Sequence, residues 1–142
     1  DENAVVIQNL YFHDQKTGLK FQNINELTLL GCKFKNMNIN ESHLFDAKKI
    51  KCFRIEKCVF YNCTTNAWGN GCIGVLEDIK NLNICKSKFN NCNPDKYTGN
   101  DISVKVMERI SDFHRPKALF ACIPKEQVVC EKCDVVESLP II

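Results

Sequence analysis

The sequence predicts an all-β chain wound as a solenoid, and three observations support that expectation. Residues 24–37 read I-N-E-L-T-L-L-G-C-K-F-K-N-M, residues 50–63 read I-K-C-F-R-I-E-K-C-V-F-Y-N-C, and residues 79–92 read I-K-N-L-N-I-C-K-S-K-F-N-N-C. Their aligned phenylalanines, Phe34, Phe60 and Phe89, stand 26 and 29 residues apart, inside the period that marks stacked repeats. The apolar register also repeats, with Ile24, Ile50 and Ile79 at one position, Leu27, Phe53 and Leu82 at a second, and Leu29, Ile55 and Ile84 at a third. Between Leu27 and Leu29 the pattern alternates, as a strand with one buried face requires. The expected architecture is a right-handed parallel β-helix of about five coils. It forms a single domain over residues 1–142, with residues 93–116 inserted between coils.

The first coil is expected at Val5-Val6-Ile7-Gln8-Asn9-Leu10-Tyr11-Phe12, where Phe12 takes the place of Phe34 and Val5, Ile7, Leu10 and Phe12 point inward. Residues 13–17 form a polar turn, and Gly18 opens a strand that turns Leu19 and Phe21 inward. Phe45 and Ala47 do the same before Ile50, as do Gly74 and Leu76 before Ile79. Each coil is thus expected to hold two short strands, separated by a tight polar bend such as Gln22-Asn23 or Glu77-Asp78. Variable segments join the coils: residues 38–43, and residues 64–71, whose T-T-N-A-W-G-N-G is rich in turn formers.

Residues 93–116 break the pattern. Their opening N-P-D-K-Y-T-G-N-D is loop chemistry, and Ile102, Val106, Ile110 and Phe113 then follow helical spacing behind a capping Asp101. A short helix is expected there, although Ile102, Val104 and Val106 alternate as in a strand. The repeat resumes with Phe120 and Cys122, then Val128 and Cys130, then Cys133 and Val135 where Cys58 and Phe60 stand. The apolar tail 137–142 is expected to cover the last coil, since a solenoid end must be covered.

Asn36, Asn62 and Asn91 share a register position at a bend. In a parallel stack, equivalent side chains lie about 4.8 Å apart, so the three can hydrogen-bond as a ladder and offset the cost of burying polar groups. The turn preference of Asn alone would give the same column.

Composition narrows the function. The 142 residues carry a formal net charge of +2, too little to argue for nucleic acid or direct membrane insertion, and basic residues do not cluster with aromatics along the chain. No apolar run is long enough to span a bilayer, and the chain reads as a mature or excised piece of something longer. Ten cysteines fit an oxidising, extracellular compartment. Cys32 with Cys58, and Cys63 with Cys92, are placed for disulfides between neighbouring coils, and equally for stacks of buried thiols. Cys130 and Cys133 have C-x-x-C spacing without the second pair that zinc needs, so packing or a structural disulfide is the better account.

No metal, cofactor or catalytic residue is assigned. Asp14, Asp46, Glu77 and Asp78 share no register position, and His13, His43 and His114 are scattered on loops. His114-Arg115-Pro116 matches part of the Arg-Pro segment of pectate lyases, but the second Arg expected three residues after the proline is Leu119. The binding candidates are Trp68 and Asn70 on the second variable segment, with Tyr97 and Arg115 in the insertion; exposed aromatics anchor interfaces, although Trp68 serves equally as a lid over the coil. Of two glycosylation sequons, at Asn40 and Asn62, only Asn40 is expected to carry glycan, because Asn62 is needed at the bend.

The run C-x-F-x-N-C at Cys58–Cys63, followed by Gly71-Cys72-Ile73 and by N-L-x-I at residues 81–84, resembles the repeats of the polymorphic membrane proteins, which are right-handed parallel β-helix adhesins. G-C-I replaces their G-G-A-I, and F-x-N replaces their F-x-x-N. The resemblance implies an extracellular or surface-displayed module that binds a host or neighbouring-cell protein or glycan, with no catalytic residues to carry over. Self-association through the end coils is a further expectation. The alternatives are a polysaccharide-acting β-helix enzyme, a structural spacer, and a leucine-rich-repeat interaction domain. The repeat of that last family, L-x-x-L-x-L-x-x-[NC]-x-L, fits residues 24–34 and 50–60 but needs helix at residues 18–23 and 71–78.

Overall fold

The structure, a computed structural model, describes residues 3–65, 71–92, 118–123 and 127–142. Among these residues every regular element is a β-strand: β1 (Ala4–Gln8), β2 (Tyr11–His13), β3 (Leu19–Leu30), β4 (Lys33–Lys35), β5 (Asn38–Ile39), β6 (Phe45–Glu56), β7 (Val59–Tyr61), β8 (Thr64–Thr65), β9 (Gly71–Cys85), β10 (Lys88–Asn90), β11 (Ala118–Ile123), β12 (Gln127–Glu131) and β13 (Asp134–Val136). All of their pairings are parallel. One sheet runs β1-β3-β6-β9-β11, with β12 on the second half of β9; a second runs β13-β10-β7-β4-β2; and β5 pairs with β8.

The register matches the repeat alignment. Leu27 pairs with Val5 and Phe53, and Phe53 with Leu82; Leu29 pairs with Ile7 and Ile55, and Ile55 with Ile84. Phe12, Phe34, Phe60 and Phe89 form one stacked column, with centroids 4.9, 4.8 and 4.8 Å apart and ring planes within 4° of parallel. Phe45 meets Phe34 and Phe60 edge-on from the opposite sheet, at 5.3 and 5.9 Å. The buried core therefore lies between the two larger sheets.

Three columns of left-handed residues turn the chain. Asn9, Gly31, Lys57, Lys86 and Lys132 follow the strands of the first sheet; Asp14, Asn36, Asn62, Asn91 and Glu137 follow those of the second; and Asn23, Lys49 and Asp78 lie inside β3, β6 and β9. This last column corrects the expectation of two separate short strands. A single residue at φ near +58° bends the chain, and the ladder resumes directly after it, so each pair of segments is one continuous strand. Lysine can occupy such positions because the strain costs only about 1–2 kcal/mol, which the flanking ladders outweigh.

Other expectations are refined. The variable segments 38–43 and 64–71 each begin with a short strand, residues 38–39 pairing with residues 64–65. Val5 and Leu10, expected inward, are 37% and 50% exposed, because among the described residues no further strand pairs with β1 or β2 beyond them. Residues 19–23 and 71–78, where a leucine-rich repeat would need helix, lie within the strands β3 and β9. Phe120 pairs with Gly74, Val128 with Leu82 and Val135 with Phe89, as the resumed repeat requires. Leu139, Ile141 and Ile142 pack on the core, and Leu119 and Phe120 donate to Pro140 and Ile141 at 2.8 and 2.9 Å. The insertion 93–116 and its expected helix lie outside the described residues.

Candidate functional site

All ten cysteines are free thiols, so none of the disulfides considered for Cys32, Cys58, Cys63, Cys92, Cys130 and Cys133 is present. Cys58, Cys63, Cys92 and Cys133 each directly follow a left-handed corner residue, whereas Cys130 lies exposed on β12. At these corners the thiol adds a hydrogen bond to the carbonyl two residues back, which already accepts from the backbone N–H of the neighbouring corner residue. Cys58 Sγ donates to Glu56 O, Cys63 Sγ to Tyr61 O, Cys92 Sγ to Asn90 O and Cys133 Sγ to Glu131 O. Serine does the same work at Ser87, whose Oγ donates to Cys85 O at 3.0 Å, and at Ser138, whose Oγ donates to Val136 O at 2.9 Å. Burial pushes the Cys58 thiol up to about 12, and it raises Cys63 and Cys72 as well, so these groups are kept protonated and unreactive.

The asparagine ladder is present. Asn91 Nδ2 donates to Asn62 Oδ1 at 3.3 Å, Asn62 Nδ2 to Asn36 Oδ1 at 2.9 Å, and Asn36 Nδ2 to Asp14 Oδ1 at 3.1 Å. His13 Nδ1 closes the row on Asp14 at 2.9 Å. The hydrogen bonds from His13 and Asn36 hold the Asp14 carboxyl below the usual carboxylate range. Asn62 spends its amide nitrogen in this ladder, whereas Asn40 is exposed. Trp68, Asn70, Tyr97 and Arg115 lie outside the described residues.

The described residues do bring together a face that the linear sequence concealed. In β2, β4, β7 and β10 the central residue is inward and its two neighbours point out, whereas all three residues of the end strand β13 are exposed. Parallel pairing therefore builds two outward rows, Tyr11–Lys33–Val59–Lys88–Asp134 and His13–Lys35–Tyr61–Asn90–Val136. The Tyr11 and His13 rings stack at 4.6 Å, and Lys35 Nζ lies 5.8 Å above the Tyr61 ring. Tyr11 and Tyr61 are 54% and 43% exposed.

A groove of about 600 Å³ is lined by Tyr11, Lys33, Lys35, Val59 and Tyr61. A second, of about 430 Å³, continues past Val59 and Tyr61 to Lys88, Asn90 and Asp134. Exposed Lys57, Lys86 and Lys132 line the adjoining corner. The signal was available in Tyr11-Phe12-His13, Lys33-Phe34-Lys35, Val59-Phe60-Tyr61 and Lys88-Phe89-Asn90, if the neighbours of each column phenylalanine were read as one surface. A smaller hollow of about 290 Å³ lies at the bend, lined by Asn23, Lys49, Lys51, Asp78 and Lys80.

Among the described residues no group of His, Cys, Asp and Glu side chains is placed to hold a metal ion. No described helix is long and apolar enough to cross a membrane. No family model, curated protein or solved structure matches the chain.

Proposed function

We propose that the chain is a parallel β-helix binding module of the adhesin type, displayed extracellularly or on a cell surface, and that it recognises a macromolecule without transforming it. The observation that carries this reading is the outer face of β2, β4, β7, β10 and β13, where exposed tyrosines and lysines line two adjoining open grooves. An extended, shallow, regularly spaced face suits a large partner, whereas small-molecule chemistry favours an enclosed pocket. The solenoid itself is supported by the single register that runs through Phe12, Phe34, Phe60 and Phe89. Surface display rests on the repeat resemblance, since the thiols are free.

Screening the chain on arrays of glycans and cell-surface proteins tests the reading, with Tyr61→Ala probing the sheet face and Trp68→Ala probing the variable segment. A binder weakened by Tyr61→Ala is the expected result. Release of new reducing ends from any polysaccharide bound would instead establish the enzyme alternative.

A further inference from the structure

We infer that the partner of this face is a linear acidic polysaccharide, one carrying sulfate or carboxylate groups at regular intervals, laid across the strands of the second sheet. The inference rests on the binding-module reading above and names the ligand class for that face. Charge complementarity comes first. Lys33, Lys35 and Lys88 project from the face against Asp134 alone. Lys57, Lys86 and Lys132 stand at one adjoining corner beside Glu56 and Glu131, and the His13-paired Asp14 and Glu137 stand at the opposite rim. Six lysines thus face five carboxylates in all, but three face one on the sheet itself. The chain's net charge of +2 averages this stripe away.

Periodicity comes second. The two grooves meet at Val59 and Tyr61 and extend from β2 to β13, four inter-strand steps or roughly 19 Å. Side chains along that line repeat about every 4.8 Å, a fixed spacing that matches a regular polymer better than a folded protein of irregular relief.

The aromatic groups decide between polyanions. A sugar ring has an apolar face that can lie on an exposed tyrosine, with its hydroxyls left to Asn90 and the tyrosine hydroxyls. Tyr11 and Tyr61 sit two strands apart and in different rows, so neighbouring bases of a nucleic-acid strand could not stack on both in succession. Lysine supplies point charges on flexible stems, which suits anionic groups met at variable angles.

The test measures binding of the intact chain to heparin, hyaluronate, neutral dextran and single-stranded oligo(dT), each at low and at physiological salt. The expected result is binding to heparin or to both acidic polymers, loss of that binding as salt rises, and none to dextran. Heparin alone identifies sulfate as the recognised group, and hyaluronate as well means that carboxylate suffices. Replacing Lys33, Lys35 and Lys88 together by Gln should weaken binding on the order of tenfold. Replacing Lys49, Lys51 and Lys80 at the other hollow, an equal change of charge, should not. Circular dichroism checks that both variants keep their strands.

Equal losses in the two variants would reduce the effect to net charge and overturn the inference. Oligo(dT) binding as tightly as heparin, equal binding to dextran, or no binding to either acidic polymer would overturn it too. In each of these cases a protein or neutral-glycan binder from the arrays would leave the broader binding reading standing.

Discussion

Asn62 donates from Nδ2 to Asn36 Oδ1 at 2.9 Å, across a gap of 26 residues in sequence. Both residues occupy the left-handed region, at φ 54° and 55°, so one side-chain type meets two demands at this corner. It tolerates the backbone conformation, and it bonds to its own equivalent on the neighbouring strand. Asn62→Ala should therefore cost about 2–3 kcal/mol, from the lost ladder bonds and the strained backbone together. Asn62→Gly relieves the backbone and should cost about 1 kcal/mol. Urea unfolding measures both, and an alanine variant no worse than the glycine variant would contradict the account.

Phe60 lies between Phe34 and Phe89 at 4.8 Å on each side and is fully buried. Phe60→Ala is expected to lose about 3–5 kcal/mol, since a rigid column cannot collapse into the gap. Phe60→Leu fills most of the space but forfeits both ring stackings, for a loss of about 1–2 kcal/mol. If the leucine variant were as unstable as the alanine variant, ring stacking rather than volume would dominate the column.

The buried thiols predict alkaline sensitivity. Desolvation raises Cys58 to about 12 from an ordinary 9.0, and it raises Cys63 and Cys72 in the same direction. In the unfolded chain these groups release their protons first, so above about pH 8.5 the folded state binds more protons than the unfolded state. This contribution is fully present below that pH and is lost progressively as pH climbs toward the folded value. The urea midpoint should fall between pH 8 and pH 10, and Cys58→Ser should shallow the fall. Iodoacetamide at pH 8 should spare Cys58, Cys63 and Cys72 in the folded chain; ready labelling of all three would show that they are not enclosed.

Gly18 is required by close approach. A Cβ there would run into the carbonyl oxygen of His43 and crowd that of Leu44, both backbone atoms. The Leu44 carbonyl also accepts from Leu19 N at 2.7 Å, so the two chain segments cannot separate without breaking the start of β3. Gly18→Ala should cost about 3 kcal/mol. Gly31→Ala should cost only about 1 kcal/mol. Its φ of +64° matches that of non-glycine residues in the same column, and the atom its Cβ would meet is the movable Asn9 side chain. Similar losses at the two sites would remove the distinction between backbone and side-chain obstruction.

The sequence by itself determined the all-β class of the described residues, the register of the repeats and most of the inward columns, but not that each pair of short strands runs on as one or that residues 38–39 and 64–65 pair. Phe34, Phe60 and Phe89, with the alternation around Leu27 and Leu29, admit one alignment, because a slip of one residue would turn every apolar side chain to water. It also placed Asn36, Asn62 and Asn91 together, although their bonding had to be seen.

Only the tertiary structure decided the fate of the cysteines and the character of the outer face. Cysteine spacing is the same for a bridge as for a thiol bonded to a carbonyl two residues back, so the local backbone at Lys57 and Asn62 had to be known. Lys33, Tyr61 and Lys88 are far apart in the chain and become neighbours through pairing across β4, β7 and β10. A sequence reports which residues alternate outward, but which charges gather on one surface depends on how the strands stack, and a whole-chain average cannot reveal that.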